Sequence, residues 1–119
     1  LVVEPLALFD FAEASLVTGQ RQETSVPAQA LYLMNSPLVL KQSEAMAARL
    51  LAAQSLTPAQ RVEMAFQWAF GRAPTAAEAK AAGEFGPRFV QASGRSEPKD
   101  FWIAFCQSLF AAAEFRTLN

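Results

Sequence analysis

The chain has 119 residues, enough for one folded domain with a buried core, and 52% of them are hydrophobic. Ten lysines and arginines stand against eleven aspartates and glutamates, so the formal net charge is −1, and the basic residues form no patch that would favour nucleic acid. Histidine is absent and Cys106 is the only cysteine, which excludes Ser-His-Asp and Cys-His catalysis, an internal disulfide and the usual nitrogen- and sulfur-ligated zinc sites.

The N-terminal segment, residues 1–24, shows no long helical period and is predicted to be irregular. A proline, a glycine and a polar stretch interrupt it. The sequence LALFDF within it is typical of a short extended piece. We expect this segment to lie on a helical body, anchored by Leu8, Phe9 and Phe11.

Helix-start patterns follow one another through residues 25–119. Each combines a serine or threonine N-cap with an early proline, or with a Gln or Glu at the capping-box position. The four starts are Ser25 with Pro27, Ser36 with Pro37, Thr57 with Pro58 and Gln60, and Thr75 with Glu78. The first two helices are predicted to end near Asn35 and Gln54.

The second helix is predicted to have an apolar side that includes Leu40, and the fourth helix is predicted to turn Phe85 and Phe89 inward. Because Pro87 follows Gly86, we expect a kink or break there. A loop is predicted over residues 92–98.

The last helix is predicted to begin between residues 98 and 101, capped by Ser96 or Asp100. Its apolar residues follow the helical spacing i, i+3, i+4, i+7, i+8, i+11. They are Trp102, Phe105, Cys106, Leu109, Phe110 and Ala113. Short polar connections join the helices, so the expected fold is all-α: a single bundle of about five helices with an irregular N-terminal segment.

The stretch FGRAPTAAE resembles a phosphate loop only superficially, because it has one glycine and follows a helix rather than a strand. Gly71 stands at the expected end of the third helix, where a left-handed conformation favours glycine. Pro74 stops the helix and Thr75 caps the next one. We interpret the stretch as a hinge, in which Arg72 either binds nearby carbonyls or meets an acidic partner group.

Five polar residues are the candidates for a partner or ligand site: Asp10, Arg21, Gln29, Asn35 and Arg72. The favoured alternative is that they satisfy loop backbone groups and that Asp10 pairs with Arg21. No two acidic residues have a spacing that indicates acid/base catalysis. Cys106 lies on the apolar stripe and is interpreted as a small buried hydrophobe. No catalytic residue, metal site or cofactor is predicted.

Three stretches, taken in order, resemble a known family. RQETSVPAQALYLMNSPLVL, FGRAPTAAE and FWIAFCQSLFAAAEF are similar to patterns of the planctomycete-specific domain of unknown function, and so is the Phe-Asp pair of LALFDF. The resemblance covers nearly the whole chain but only the C-terminal part of the family domain. Ala111 and Ala112 depart from the Asn-Ser that the family often carries there.

This resemblance implies a fragment of a large exported protein, periplasmic or in the cell envelope, that also carries a cytochrome-c-like haem domain. The chain itself does not reveal its compartment. It contains no apolar run long enough to cross a membrane. The family has no established activity.

Three functional hypotheses remain open. The leading one is a non-catalytic interaction module that packs against an upstream segment of its parent chain or against another protein, with self-association as a further outcome. The second is an accessory part of a redox or polysaccharide-related enzyme whose catalytic residues lie outside this chain. The third is a pocket for a small ligand. Whether the chain alone is an enzyme stays open, although its missing catalytic groups disfavour it.

Overall fold

The computed structural model describes residues 28–118, and these form an all-α bundle without a strand. The helices are α1 (Ala28–Met34), α2 (Pro37–Ala52), α3 (Pro58–Phe70), α4 (Ala76–Ser93) and α5 (Pro98–Leu118). The predicted fold class is therefore confirmed. The predicted irregular segment 1–24 and the first cap, Ser25 with Pro27, lie outside the described residues.

The last helix, α5, lies at the centre of the bundle and contacts all four other described helices, α2 most extensively. Between Trp102 and Ala112 every residue is buried except Ile103 and Phe110, which are half-buried. The buried surface of α5 is therefore wider than the predicted apolar stripe, because other helices cover nearly its whole circumference. It begins at Pro98, so Asp100 lies in its first turn and is not its cap.

Among the α5 residues whose side chains the structure describes, two polar side chains are buried, and both are hydrogen-bonded. Gln107 donates its amide N–H to the carbonyl oxygen of Met34 at 3.0 Å, which ties the end of α1 to the central helix. Ser108 donates its hydroxyl to the carbonyl oxygen of Ala104, one turn back, at 3.3 Å. Each of these buried side chains therefore has a hydrogen-bond partner, which offsets part of the cost of burying a polar group.

Aromatic rings form much of the core around the first half of α5. Phe101 and Phe105 stack with centroids 5.8 Å apart, and Trp102 meets Phe105 edge-on at 5.5 Å. The ring centroid of Phe85 in α4 lies 5.6 Å from that of Phe101, and the ring centroid of Phe66 in α3 lies 6.4 Å from that of Phe105. These contacts join α3 and α4 to the central helix, as the predicted inward direction of Phe85 requires.

Helix α4 runs without interruption through Pro87, so the prediction of a break there is wrong, whereas a kink at Pro87 stays a prediction. Proline removes one backbone hydrogen bond, and its ring crowds the carbonyl group four positions earlier, which here belongs to Gly83. Phe85 and Phe89, on either side of Pro87, are both buried in the core and hold the two halves of the helix in place. The helix continues to Ser93 and ends at Gly94, slightly beyond the predicted start of the loop.

Helix α2 differs from its predicted pattern at Leu40, which the pattern places on the apolar side and which is exposed. Ser43, to which the pattern assigns no side, is buried and donates its hydroxyl to the carbonyl oxygen of Val39 at 2.7 Å. The C-terminal carbonyls of α2 are bound by an arginine of the next helix. Arg61 donates to the carbonyl oxygens of Leu50 at 2.8 Å and Ala53 at 3.1 Å, so it caps α2 from α3.

No helix within residues 28–118 combines the length and the apolar character needed to span a bilayer.

Leu109 tests the role of α5 as the core, because its side chain is 1% exposed. Leu109→Ala is expected to lower the free energy of unfolding by about 2–5 kcal/mol, since it removes buried methyl groups and leaves a cavity. Chemical denaturation measures this, with Leu38→Ala as the control because Leu38 is 59% exposed. Equal losses at the two positions would contradict a core centred on α5.

Replacing two of the glycines by alanine is expected to change the stability of the fold in opposite directions. Gly71 has φ 70°, whereas Gly83 lies inside α4, where an added Cβ would meet no other side chain or neighbouring helix within 4 Å. Gly71→Ala is expected to cost about 1–2 kcal/mol because an L-residue resists the left-handed conformation. Gly83→Ala is expected to stabilise by about 0.5–1 kcal/mol because alanine favours the helix. Thermal unfolding of both variants measures the difference, and a stabilising Gly71→Ala would contradict the hinge.

Candidate functional site

The hinge between α3 and α4 is built as the sequence predicts. Gly71 ends α3 in the left-handed conformation, and its N–H donates to the carbonyl oxygen of Gln67 at 2.8 Å. Thr75 then caps α4, its hydroxyl accepting the N–H of Glu78 at 3.1 Å. The carboxylate of Glu78 accepts the N–H of Thr75 at 2.8 Å, which completes the capping box.

Arg72 binds the same carboxylate with two hydrogen bonds. Its guanidinium nitrogens lie 2.7 and 3.0 Å from the two carboxylate oxygens of Glu78, and one of them also donates to the carbonyl oxygen of Ala73 at 3.0 Å. The guanidinium carbon lies 5.3 Å from the ring centre of Phe70 and 5.8 Å from that of Phe66. In the described part of the chain, Arg72 therefore pairs with Glu78, an acidic residue of the same hinge.

The Glu78 side chain is only 5% exposed, whereas that of Arg72 is 42% exposed. The hydrogen bonds from Arg72 lower the pKa of Glu78 below its ordinary value, against the opposing effect of burial. The carboxylate therefore stays charged at neutral pH. Because its two oxygens already accept three hydrogen bonds, it is a structural anchor rather than a poised proton acceptor.

The other predicted site residues do not come from one element. Asp10 and Arg21 lie outside the described residues. Gln29 is exposed in α1, and Asn35 is exposed directly after α1, where its N–H donates to the carbonyl oxygen of Tyr32 at 3.2 Å. A site combining these residues with Arg72 stays a prediction.

Cys106 is buried in the core at 1% exposure. Burial raises the pKa of its thiol to about 12, because the apolar surroundings disfavour the thiolate. A protonated, inaccessible thiol is a poor nucleophile, so the interpretation as a small hydrophobe fits its place in the structure.

A groove of about 490 Å³ lies beside the hinge, and we call it the α3–α4 groove. The first turns of α3 and the first half of α4 form its sides, and the first aromatic residues of α5 form its base. Small or apolar residues dominate its lining, among them Ala59, Val62, Ala79, Ala82, Gly83 and Trp102. The charged side chain in the lining is Glu63, and the hydroxyl of Thr75 is engaged in the capping box.

Sequence reasoning missed this groove, although α4 carries a pattern that indicates it. Ala79, Ala82, Gly83 and Gly86 are spaced i, i+3, i+4 and i+7, so they form one small-residue face of the helix. All four line the groove. Whether such a face packs tightly or leaves space depends on the neighbouring helix, which a helical period alone does not specify.

A second cleft, of about 610 Å³, lies among α2, α3 and α5. We call it the Arg49–Trp68 cleft, because the guanidinium of Arg49 lies 4.5 Å from the ring centre of the exposed Trp68. Gln42 and Glu114 add polar groups to its lining, so it is far more polar than the α3–α4 groove.

Glu78→Gln is expected to lower the free energy of unfolding at pH 7 by about 1–3 kcal/mol, because a charge-assisted pair is replaced by neutral hydrogen bonds while glutamine still suits the capping box. Since the folded-state pKa is lowered, the stabilisation is present above the ordinary carboxyl pKa of about 4.3 and is lost as the pH falls through the folded value. Urea unfolding from pH 7 to pH 3 measures this.

The matched control for this test is Glu84→Gln, which neutralises an exposed carboxylate on the same helix. The Glu78→Gln variant should lose less stability on acidification than the parent, whereas the control should follow the parent. Parallel pH profiles for all three proteins would contradict the assignment of the ion pair.

The comparisons with known proteins give one family. The family described as "PSD1: Protein of unknown function (DUF1553)" matches residues 2–86, which include the hinge and the first half of α4. The third resembling stretch, in α5, and the Ala111–Ala112 departure lie beyond the matched residues. No curated protein and no solved structure matches the chain. Because the match covers more than half of its residues, the chain belongs to the PSD1 (DUF1553) family of proteins of unknown function.

Proposed function

We propose that this chain is a non-catalytic helical interaction module of a larger exported multidomain protein, and that the α3–α4 groove is its binding surface for an apolar polypeptide segment. The single observation that carries the proposal is the lining of the groove, which offers apolar area and almost no polar chemistry. Enzymatic sites instead place acids, bases or nucleophiles against a substrate.

The polar groups around the groove support this proposal because they already have partners. Thr75 and Glu78 complete the capping box, and Arg72 holds Glu78 from the other side. These bonds fix the positions of α3 and α4 relative to each other at the hinge. The groove is therefore a preformed surface, which reduces the ordering cost of binding.

Burial of apolar surface would provide the binding free energy, at about 25 cal/mol for each Å² removed from water. The small side chains of Ala79, Ala82 and Gly83 leave room for bulky leucine or phenylalanine side chains to reach Trp102 at the base. A partner with alternating or helically spaced large apolar residues fits this surface.

The exported and multidomain parts of the proposal rest on the family resemblance, which implies a planctomycete protein of the periplasm or cell envelope. In that setting the partner is an upstream segment of the parent chain or a second protein. Self-association through the same groove is a further outcome of the binding test below.

A second candidate function is a pocket for a small apolar ligand. The volume of the groove favours it, because about 490 Å³ falls within the roughly 300–1,000 Å³ that is usual for small-molecule sites. The groove lacks the several convergent polar groups that normally orient such a ligand, and we therefore place this candidate second.

Gly83→Leu tests the proposal, because a leucine at this open position in α4 would fill the groove. We expect a random linear peptide library to yield peptides rich in Leu, Phe and Trp when it is selected on the Phe9→Ser/Phe11→Ser form of the chain, in which the chain's own apolar N-terminal segment cannot compete for the groove. Their Kd, measured by fluorescence anisotropy, should rise at least tenfold in Gly83→Leu. It should stay unchanged in Glu84→Leu, which adds the same side chain at an exposed position outside the groove.

Peptides that bind both variants equally would place the binding surface elsewhere and contradict the proposal. Failure to select peptides, together with binding of the apolar dye 8-anilinonaphthalene-1-sulfonate that only Gly83→Leu abolishes, would favour the small-ligand candidate instead. Sedimentation of the parent across a concentration series reports self-association.

A further inference from the structure

We infer that the segment which binds in the α3–α4 groove is residues 6–11 of this same chain, LALFDF. The inference rests on the proposed function, since it takes the groove as a polypeptide-binding surface. It assigns the domain an intramolecular partner: the groove holds the N-terminal segment, and with it the upstream part of the parent protein, against the helical body.

Size and polarity match between the segment and the groove. Five of the six residues in LALFDF are apolar, and they include two leucines and two phenylalanines. The α4 side of the groove instead has small residues, alanines and glycines, which leave space next to Trp102. Bulky side chains against small ones give close packing without repacking the core.

The one charge in the segment is compatible with this placement. In an extended stretch, alternate residues point to opposite sides, so Phe9 and Phe11 share one side and Asp10 takes the other. With the two phenylalanines turned into the groove, Asp10 faces water. This arrangement keeps it away from Glu63, the acidic side chain in the groove lining.

The segment is covalently linked to the helices, and this linkage favours its binding over that of a separate partner. Sixteen residues, 12–27, separate the segment from the start of α1. Such a tether reaches about 50 Å when extended, which exceeds the largest molecular extent of 37 Å. A short tether raises the effective concentration to the order of millimolar, so a modest apolar contact suffices for docking.

The family comparison points the same way. The PSD1 match begins at residue 2 and continues to residue 86, so the segment and the α3 and α4 walls of the groove belong to one family domain. The Arg49–Trp68 cleft is the less suitable site, because Arg49, Gln42 and Glu114 would lose hydration beneath an apolar segment.

Cross-linking in the full chain tests the inference. Ala7→Cys leaves both phenylalanines in place, and Ala79→Cys introduces a thiol at an exposed position of the groove wall. The native thiol of Cys106 is buried and protonated, so it does not compete. With a short bismaleimide at low protein concentration, we expect an intramolecular cross-link in at least fivefold higher yield than in Ala7→Cys/Ala48→Cys. Ala48 is an exposed alanine of α2 that lines neither cleft.

A second variant separates docking from mere tethering. Adding Phe9→Ser and Phe11→Ser to the Ala7→Cys/Ala79→Cys protein should reduce the yield to that of the control. Equal yields at Ala79 and Ala48, or a yield at Ala79 that survives loss of both phenylalanines, would overturn the inference. The peptide-library result distinguishes failure of this inference from failure of the proposed function. If the cross-link fails but peptides bind in a way that Gly83→Leu abolishes, the proposed function stands and only the inference is wrong. If neither the cross-link nor peptide binding is observed, both the inference and the proposed function are wrong.

Discussion

The apolar character of α5 around nearly its whole circumference is the constraint on which the rest of the structure depends. A helix of this kind is stable only when most of its circumference is covered, and α1, α2, α3 and α4 all contact it. Its two buried polar side chains, Gln107 and Ser108, both bond to backbone carbonyls. The hydrogen bond from Gln107 also holds the end of α1 against α5, so this buried polar side chain helps to keep α5 covered.

The connections between helices then determine how the surrounding helices are placed. Arg61 binds the last carbonyls of α2 from α3, and Arg72 binds Glu78 across the α3–α4 hinge. Both arginines act at helix ends, where unsatisfied backbone groups or a capping carboxylate need a partner. Since α3 and α4 are held by caps and an ion pair at the hinge, the small-residue face of α4 need not pack against α3 along its length. The α3–α4 groove is the space that results.

Much of this architecture could be predicted from local chemistry. The capping boxes at Thr57 and Thr75 and the left-handed Gly71 follow from short patterns whose physics is contained within a few residues. The sequence marks Arg72 as a candidate for an acidic group but does not identify its partner six positions along the chain, because Glu78 is assigned there only to its cap. The break predicted at Pro87 does not occur, because buried phenylalanines on both sides outweigh one missing hydrogen bond.

The groove could not be predicted, because a small-residue face indicates close packing or open space according to what lies opposite. The most direct measurement of the central claim, that this groove takes the N-terminal segment, is a set of methyl NOEs in the full chain. The account predicts NOEs from the ring protons of Phe9 and Phe11 to the methyl groups of Ala79 and Ala82. NOEs from those segment residues to other surfaces, with none to Ala79 or Ala82, would contradict it.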